Sequence, residues 1–351
     1  MKKIPLLKRI EYWPPILSAV IITILLLIIF YYGHQANAFY ERMPVKLYVY
    51  AFSTQEEVFS EGILPGFEQY WENHSGREIA IEAVFGPSAT LAGEINLGAP
   101  ADIAIFSNAH HVDWLKLGRK VKMDAQLLLI GQTPMVIVTR PGNPHNIRSF
   151  ADLTQPGLCL LHADPHSSGG GEWAILAEYG SALRETGSPN KAKTQVDEIW
   201  KNVSIMGTSA RAIMDLFSMG VGDALITYEQ DALLALAGGI PLEIVYPPRT
   251  IFAEHVAVAV DDNNILPERN AVQAFMDYLE SEPAQEAFSS FHLRPVNLVY
   301  DEFPLISDPF TVEELGGWTT AYADLVEEFW QDEIRPRLDL TPTSIIVDSD
   351  G

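Results

Sequence analysis

The sequence predicts an α/β fold of two lobes, and three observations lead to this prediction. The chain has 351 residues, which is more than a typical single domain contains. Apolar strands alternate with helical segments along most of its length, a pattern typical of mostly parallel sheets. Apolar residues make up 48% of the chain and charged residues 20%, as in an ordinary folded protein with enough material for a core.

The N-terminal region, residues 1–40, differs in charge from the rest of the chain. Four basic residues against one glutamate give it a net charge of +3, so a total of −23 leaves −26 for the remainder. Such a negative balance argues against nucleic acid or an anionic membrane surface as a partner. Local groups must therefore recognise any anion that the acidic part binds, because the overall field repels it.

An uncharged apolar run covers residues 16–32, after the basic cluster. As a helix its 17 residues span roughly 25 Å, the short end of a bilayer crossing. We therefore predict an N-terminal transmembrane helix with its basic side in the cytoplasm and residue 40 onward outside the cytoplasm. Ala36-Asn37-Ala38 resembles a signal-peptidase site, so a cleaved export signal is the alternative. The length of the run favours an uncleaved anchor, and both interpretations export the main domain.

The strands and helices follow from apolar spacing and turn residues. Strands are predicted where short apolar or alternating runs end in a turn. They cover residues 45–51, 79–84, 101–106, 135–139, 158–163, 203–206, 223–227 and 252–260. Helices are predicted where apolar residues recur at helical spacing behind a capping residue. They cover residues 55–74, 89–96, 110–117, 149–153, 173–184, 211–219, 231–237, 267–291 and 318–333.

Turn chemistry supplies the boundaries between these elements. Ser53 or Thr54 can cap the first helix of the exported part. The Pro/Gly-rich stretch 140–144 is interpreted as a crossing between lobes, and the polar stretch 184–195 as a surface loop. The chain then divides into 1–40 (basic segment and anchor or signal), 41–135 (lobe 1), 136–249 (lobe 2), 250–338 (return to lobe 1 and C-terminal helices) and 339–351 (acidic tail).

Three turns place a serine where a strand gives way to a helix, at Ser88, Ser168 and Ser209. Ser88 is expected to be the N-cap of its helix, as is Thr208 or Ser209. In an open α/β sheet such turns lie along one edge, where ligands bind. If the lobes face each other, three helix N-termini can surround one small anion. The alternative is that all three serines are ordinary helix caps.

The residues of these turns indicate which anion suits them. Hydrogen phosphate carries an O–H group that needs an acceptor, so a phosphate site should include a carboxylate. The serine turns offer mainly donors, and Glu172 is the one nearby exception. They contain no lysine and one arginine, Arg211. This pattern favours a fully ionised, sulfate-like anion.

Several motifs together make the chain resemble a known family. They are Ser167-Ser168-Gly169-Gly170 with Trp173, Ser209-Ala210-Arg211, Gly222-Asp223-Ala224-Leu225-Ile226, and Phe310-Thr311-Val312 with Gly316-Gly317-Trp318. From about Val49 to Trp318 the chain resembles the periplasmic sulfate/thiosulfate-binding proteins that feed ABC importers. The resemblance implies a two-lobed periplasmic binding protein of type II, with the ligand in a cleft between the lobes. It also implies a protein that is not an enzyme, has no cofactor and works with the transmembrane subunits of an importer.

The same resemblance implies which residues hold the anion. They are the Ser88 hydroxyl, Ser168, and the backbone of Gly169, Gly170 and Ala210. Tyr228 stands where the family has a tryptophan whose ring N–H reaches the anion, and Phe52 lies near the position of an aspartate whose backbone binds. Because these two positions depart from the family pattern, sulfate, thiosulfate, molybdate and small organic sulfonates stay open as ligands.

Other classes of function have weaker support in the sequence. A serine nucleophile needs a base, but His166 lies only two positions before Ser168, and no Gly-x-Ser-x-Gly elbow is present. Pro165 breaks regular geometry between His162 and His166, so a metal site is not expected there. A membrane-anchored oxyanion sensor or scaffold that keeps the binding-protein fold is the remaining alternative.

Overall fold

The structure, a computed structural model, describes residues 13–40, 44–260, 266–296 and 303–338. The basic cluster before residue 13 and the acidic tail 339–351 lie outside these ranges, as do the side chains of the motif at residues 36–38. Among the described residues, no helix combines the length and the apolar character that a membrane crossing needs. The predicted transmembrane helix is therefore not supported.

Within the described ranges the chain forms ten strands and twelve α-helices. The strands are β1 (Val45–Phe52), β2 (Ile79–Gly86), β3 (Ile103–Phe106), β4 (Leu128–Thr139), β5 (Leu160–Ala163), β6 (Val203–Gly207), β7 (Ala224–Tyr228), β8 (Glu243–Val245), β9 (Arg249–Ala259) and β10 (Asp308–Phe310). The helices are α1 (Trp13–Tyr40), α2 (Glu56–Val58), α3 (Leu64–Ser75), α4 (Ser88–Asn96), α5 (Ala109–Leu117), α6 (Gly169–Thr186), α7 (Pro189–Trp200), α8 (Ala210–Ser218), α9 (Glu229–Ala237), α10 (Leu266–Leu279), α11 (Glu282–Ser290) and α12 (Gly317–Ala321). A π-helical segment, Tyr322–Ile334, continues α12.

The strands make one mixed sheet with the order β2-β1-β3-β9-β4-β7-β5-β6. β1 runs parallel to β2 and β3, and we call these three the first strand group. β5 runs parallel to β6 and β7, which form the second strand group. The long strands β4 and β9 lie antiparallel to each other between the groups. The predicted α/β class is thus confirmed, but the sheet is mixed, with parallel pairing within each strand group and antiparallel pairing between them.

β4 is the strand that joins the two groups most directly. Its first part, residues 128–134, pairs with β9, and its second part, residues 135–139, pairs with β7. β9 in turn pairs with β3 of the first strand group. The chain therefore crosses between groups inside an extended strand, before the Pro/Gly-rich stretch at 140–144 that we expected to carry the crossing.

Residues 184–195 do not form the expected loop, because most of them belong to α7. Ser188 caps this helix by accepting a hydrogen bond from the backbone N–H of Lys191, and a proline occupies its first turn. Ala192, Val196 and Ile199 are buried at helical spacing. The capping signal was present in the sequence, but the polar residues around it suggested a loop.

The segment after α12 packs differently from our expectation that residues 250–338 return to lobe 1. Its Trp330 ring lies edge-on to Trp200 of α7, with 5.5 Å between centroids. Trp318 of α12 contacts Trp173 of α6 in the same way at 4.5 Å. The ring of Tyr322 packs at a tilt against His110 of α5, with 4.1 Å between centroids. Aromatic burial thus fastens the C-terminal helix to elements of both strand groups.

Candidate anion-binding site

A small, closely lined cavity lies where the ends of the two strand groups meet. Its walls are made by short side chains and by the starts of helices. The lining residues are Phe52, Ser53, Thr54, Pro87, Ser88, Ser107, Ser168, Gly169, Gly170, Ser209, Ala210 and Tyr228. All seven residues that the sequence singled out as binding residues line this one cavity.

Strand topology explains why residues so distant in sequence meet here. In each strand group the parallel strands end at the same edge, and a helical segment follows each end after a short turn or loop. β1 is followed by a short 3₁₀ helix, Ser53–Gln55, while α4, α6 and α8 follow β2, β5 and β6. The helix N-termini therefore converge on the cavity, with unpaired N–H groups and positive dipole ends facing it.

The start of α6 offers backbone donors that have no partner within the helix. Ser168 is its N-cap, and the Ser168 hydroxyl makes no capping hydrogen bond. The first α6 amide that bonds to a backbone carbonyl is that of Gly171, which donates to Ser168 O at 2.9 Å. The N–H groups of Gly169 and Gly170 have no backbone partner among the described residues. Two amides and one hydroxyl thus remain for a ligand.

Glycine is required at these positions because neighbouring groups approach closely. A Cβ atom on Gly169 would overlap the Ser107 hydroxyl oxygen, and one on Gly170 would lie 2.9 Å from the Ala210 Cβ atom. Ser107 follows the first strand group, whereas Gly169 and Ala210 follow strands of the second. Gly169 therefore permits direct contact between the two sides of the cavity, and Gly170 permits close packing against Ala210 within the second group.

The three serines have different roles, which the sequence did not distinguish. Ser209 is an N-cap whose hydroxyl accepts from the Ala212 amide at 3.0 Å, and the Ala210 amide is left for a ligand. The prediction that Ser88 is an N-cap is wrong, because Pro87 occupies that position and Ser88 is the first helical residue. The Ser88 oxygen instead accepts from the Ser107 amide at 3.1 Å and lies 3.0 Å from Nδ1 of His111.

Tyr228 ends β7 and presents a phenol to the cavity. Its ring packs edge-on against Phe52 and His255, at centroid distances of 6.2 and 5.1 Å. The hydroxyl has no hydrogen-bond partner among the described residues. Burial raises the pKa of Tyr228 well above 10, although the neighbouring Ser107 opposes this shift. The phenol therefore keeps its proton and can act as a donor.

The cavity lining carries no charged side chain. Arg211, beside it, is engaged by the carboxylate of Glu57. Burial lowers the pKa of His255 to about 3, so this ring beneath Phe52 is neutral at physiological pH. An anion here is met by neutral dipoles alone, as the sequence indicated.

Glu172 does not supply the acceptor that its sequence position suggested. It lies on α6 behind the cavity, with a fully buried side chain. Its Oε2 accepts from Nδ2 of Asn108 at 2.6 Å, and its Oε1 faces Nε2 of His111 at 3.1 Å. Both oxygens are thus occupied away from the lining, and no carboxylate is among the residues that line the cavity.

Sequence reasoning missed several lining residues, chiefly Ser107, Ser53 and Thr54 as contributors to the walls. Ser107 follows β3 without any glycine, so no turn motif pointed to it.

The structure adds no support for the catalytic or the metal-binding interpretation of the sequence. His166 makes its amide hydrogen bond to Asp164 and is not among the lining residues. Across the described ranges, no group of three or more His, Cys, Asp or Glu side chains could hold a metal ion.

Two larger grooves lie away from this cavity, with empty volumes of about 1090 and 1000 Å3. One runs along α10 beside β4 and β9, and the other lies between α7 and the C-terminal segment. Both are lined by side chains of both charge signs, and neither is lined by a helix N-terminus. Size therefore does not identify the site, whereas the convergence of free donors does.

A mixed sheet of two strand groups joined by long crossing strands, with a polar cavity between their ends, defines a periplasmic binding protein of type II. Residues 47–294 match the family described as bacterial extracellular solute-binding protein. The chain belongs to this family. The resemblance inferred from the motifs is thereby confirmed.

Individual relatives agree with this assignment. The sulfate-binding protein of Salmonella typhimurium is 33% identical over 274 residues, covering 74% of this chain and 83% of that protein. The thiosulfate-binding protein of Pseudomonas aeruginosa is 30% identical over 272 residues, covering 72% of this chain and 81% of that protein. The solved structure of a sulfate-binding protein from Mycobacterium tuberculosis has a TM-score of 0.74 at 27% identity, covering 80% of this chain and 99% of that one.

Asp231, on α9 next to the cavity wall, should make stability depend on pH. Its Oδ2 accepts from the hydroxyls of Thr54 and Thr227 at 3.1 and 3.0 Å. Burial raises its pKa from 3.8 to about 6, although Arg211 opposes the shift. The folded protein therefore keeps this proton to a higher pH than the unfolded chain. The stability that it contributes is present below about pH 4 and is lost as the pH rises through about 6.

We expect Asp231→Asn to remove this pH dependence, because the amide stays neutral. Relative to the wild type, the variant should gain up to about 3 kcal/mol of unfolding free energy between about pH 4 and about pH 7. Urea unfolding at several pH values measures the difference. Parallel stability curves for the two proteins would show that Asp231 does not hold the proton.

Proposed function

We infer that this protein captures sulfate, or the similar oxyanion thiosulfate, outside the cytoplasm and delivers it to an ABC importer. The observation that carries this proposal is the cavity of neutral donors, which includes the amides of Gly169, Gly170 and Ala210. The names of the sulfate- and thiosulfate-binding relatives support it. Transport proteins of this family bind rather than convert their solutes, so we propose no enzymatic activity and no cofactor.

Neutral donors are sufficient for useful affinity. Each hydrogen bond to a charged group contributes about 1.5–3 kcal/mol, and each helix N-terminus about 0.3–1 kcal/mol at an exposed site and more in a buried one. Micromolar binding needs about 8 kcal/mol. Three amides, the hydroxyls of Ser168 and Tyr228, and the two helix N-termini together reach that figure before the cost of ordering the ion is subtracted.

The absence of a carboxylate from the lining sets the expected selectivity. A protonated oxyanion such as hydrogen phosphate needs an acceptor for its O–H group, and Glu172 is turned away from the cavity. Sulfate has no proton to place at neutral pH. The lining therefore favours sulfate over hydrogen phosphate, and Tyr228 is the position at which thiosulfate or another oxyanion would be distinguished.

The replacement Tyr228→Phe should weaken sulfate binding by about tenfold to a hundredfold, since it removes one donor to a charged ligand. The ring contacts with Phe52 and His255 stay, so the thermal unfolding temperature without ligand should change little. Isothermal titration calorimetry with sulfate and with phosphate measures both affinity and selectivity. Unchanged sulfate affinity in the variant, or phosphate binding as tight as sulfate binding, contradicts the proposed donor set.

We propose that β4 and β9 act as the hinge between a first lobe, 41–135, and a second lobe, 136–249. The change of partner within β4 between Pro134 and Met135 supports this division. The contact between Gly169 and Ser107 closes the cavity across the two strand groups. Closure over the anion is then the working motion, with the two long strands bending as the groups separate.

A larger side chain at position 169 should prevent the Gly169–Ser107 contact and keep the lobes apart. The substitution Gly169→Ala places a methyl group where Ser107 lies, so closure is obstructed and sulfate affinity should fall more than tenfold. Gly93→Ala on α4 is the matched control, because nothing lies within 4 Å of its Cβ position. Small-angle scattering should show that sulfate compacts the wild type and the Gly93 variant but not the Gly169 variant. Equal compaction of all three proteins would falsify the hinge model.

We propose that the N-terminal segment keeps the protein at the membrane. The described side chains of α1, residues 17–32, are all exposed, and they include Leu26, Ile29 and Phe30. Apolar side chains in such a row are stabilised by lipid rather than by water. The full-length chain should therefore stay in the membrane fraction in high salt, with its N-terminus intact by mass spectrometry. A released protein that begins at Phe39 indicates a cleaved export signal instead.

A further inference from the structure

The Ser88 hydroxyl is the cavity end of a hydrogen-bond chain that runs into the protein core. Its oxygen lies 3.0 Å from Nδ1 of His111 on α5. On the other side of the imidazole, Nε2 lies 3.1 Å from Oε1 of Glu172 on α6. The side chains of His111 and Glu172 are both 0% exposed. The neutral cavity is thus connected to a buried acid–base pair.

The other contacts of these groups are already occupied. The Ser88 oxygen accepts from the Ser107 amide at 3.1 Å, and Glu172 Oε2 accepts from Asn108 at 2.6 Å. A serine hydroxyl has one hydrogen and two acceptor positions. Ser88 therefore has one hydrogen and one acceptor position left, and it must divide them between His111 and the cavity.

The number of protons on the His111–Glu172 pair decides this division. With one proton, placed on Nε2 opposite the Glu172 carboxylate, Nδ1 is an acceptor and takes the Ser88 hydrogen. The remaining lone pair of Ser88 then faces the cavity and repels an anion. With a second proton, Nδ1–H donates to the Ser88 oxygen, and the Ser88 O–H group is free to donate to the anion.

Net charge favours the same protonation state. The pair carries a charge of −1 with one proton and is neutral with two. A buried negative charge behind the cavity repels a divalent anion, and salt screens buried charges weakly. Binding of the anion therefore stabilises the second proton through the hydrogen bond and through the charge.

The other ionisable groups near the pair do not account for this proton uptake. They are His110 and Asp113 on α5, Tyr228 on β7 and Tyr322 on the C-terminal helix. Burial lowers the pKa of His110 and raises the pKa values of Tyr228 and Tyr322, so these three groups are neutral at physiological pH. Asp113 is half-exposed and pairs with Lys116.

We propose that His111 and Glu172 are positioning residues that turn Ser88 into an anion donor only when the pair takes up a proton, so that anion capture is coupled to uptake of one proton. The proposal rests on the proposed function, because it needs an anion in this cavity. It adds a control of affinity by pH that the neutral lining by itself does not provide.

Glu172→Gln separates positioning from simple structural support. The side-chain amide that replaces the carboxylate can accept from Asn108 with its oxygen and donate to His111 Nε2 with its nitrogen. A neutral imidazole then carries its proton on Nδ1 and donates permanently to Ser88. The variant should bind sulfate independently of pH, and more tightly than the wild type at the alkaline end of the range.

The matched control uses a second buried histidine–glutamate pair, whose glutamate also lies on α6. His162 Nε2 lies 3.5 Å from Oε1 of Glu178, and both side chains are buried. This pair has no contact with Ser88, so Glu178→Gln should leave the pH dependence as in the wild type. Ser88→Ala should weaken binding by about tenfold to a hundredfold at the acidic end and should reduce the pH dependence, because the hydrogen-bond link is removed and only the charge of the pair still acts on the anion.

The experiment is calorimetric titration of the full-length proteins with sodium sulfate, from about pH 5 to about pH 8, in buffers of different ionisation enthalpy. The buffer dependence of the observed enthalpy gives the number of protons taken up. The wild type and Glu178→Gln should approach one proton at the alkaline end, and Glu172→Gln should take up none. Sulfate binding without proton uptake at any pH, or weaker binding by Glu172→Gln throughout, overturns the coupling. Absence of sulfate binding at every pH overturns the proposed function itself.

Discussion

The close approach of the start of α6 to the opposite wall is the constraint on which the rest of the structure depends. Gly169 lies against Ser107 and Gly170 against Ala210, at distances that leave no room for a Cβ atom. The approach of Gly169 to Ser107 brings the unpaired amides of the second strand group close to the wall that the first group forms. The sheet order, the crossing strands and the serine turns place these few backbone groups at one cavity.

The electrostatic design of the site follows from this arrangement. A chain with a formal charge of −23 cannot attract an anion by its overall field. The cavity instead presents dipoles that are already oriented, so an ion that loses its water shell gains hydrogen bonds without reorganising the protein. Positive side chains are unnecessary, and Arg211 is engaged by Glu57 rather than by the cavity.

Charge is nevertheless present in the layer behind the lining. Glu172 and His111 contact each other through fully buried side chains, and Asp231 accepts hydrogen bonds from Thr54 and Thr227. These groups orient the hydroxyls and loops that form the walls. Because a buried ionisable group responds to pH while a backbone amide does not, any pH dependence of this site must arise in that second layer. Family membership alone does not reveal it, since it depends on which side chains stand at these positions.

Local sequence determined the alternation of strands and helices, the strand–serine–helix turns, and the family motifs around Ser168 and Ala210, because short-range spacing and glycine content specify them. It could not decide which serine caps a helix, since Ser88 is displaced from the N-cap by one residue through contacts with Ser107 and His111. Helix α7 and the docking of Trp330 on Trp200 were likewise settled by burial between distant segments. The hydrogen-bond partners of Glu172 also depend on tertiary structure. A carboxylate near a turn can face either the ligand or the core, and the packing of α5 against α6 places Glu172 in the core.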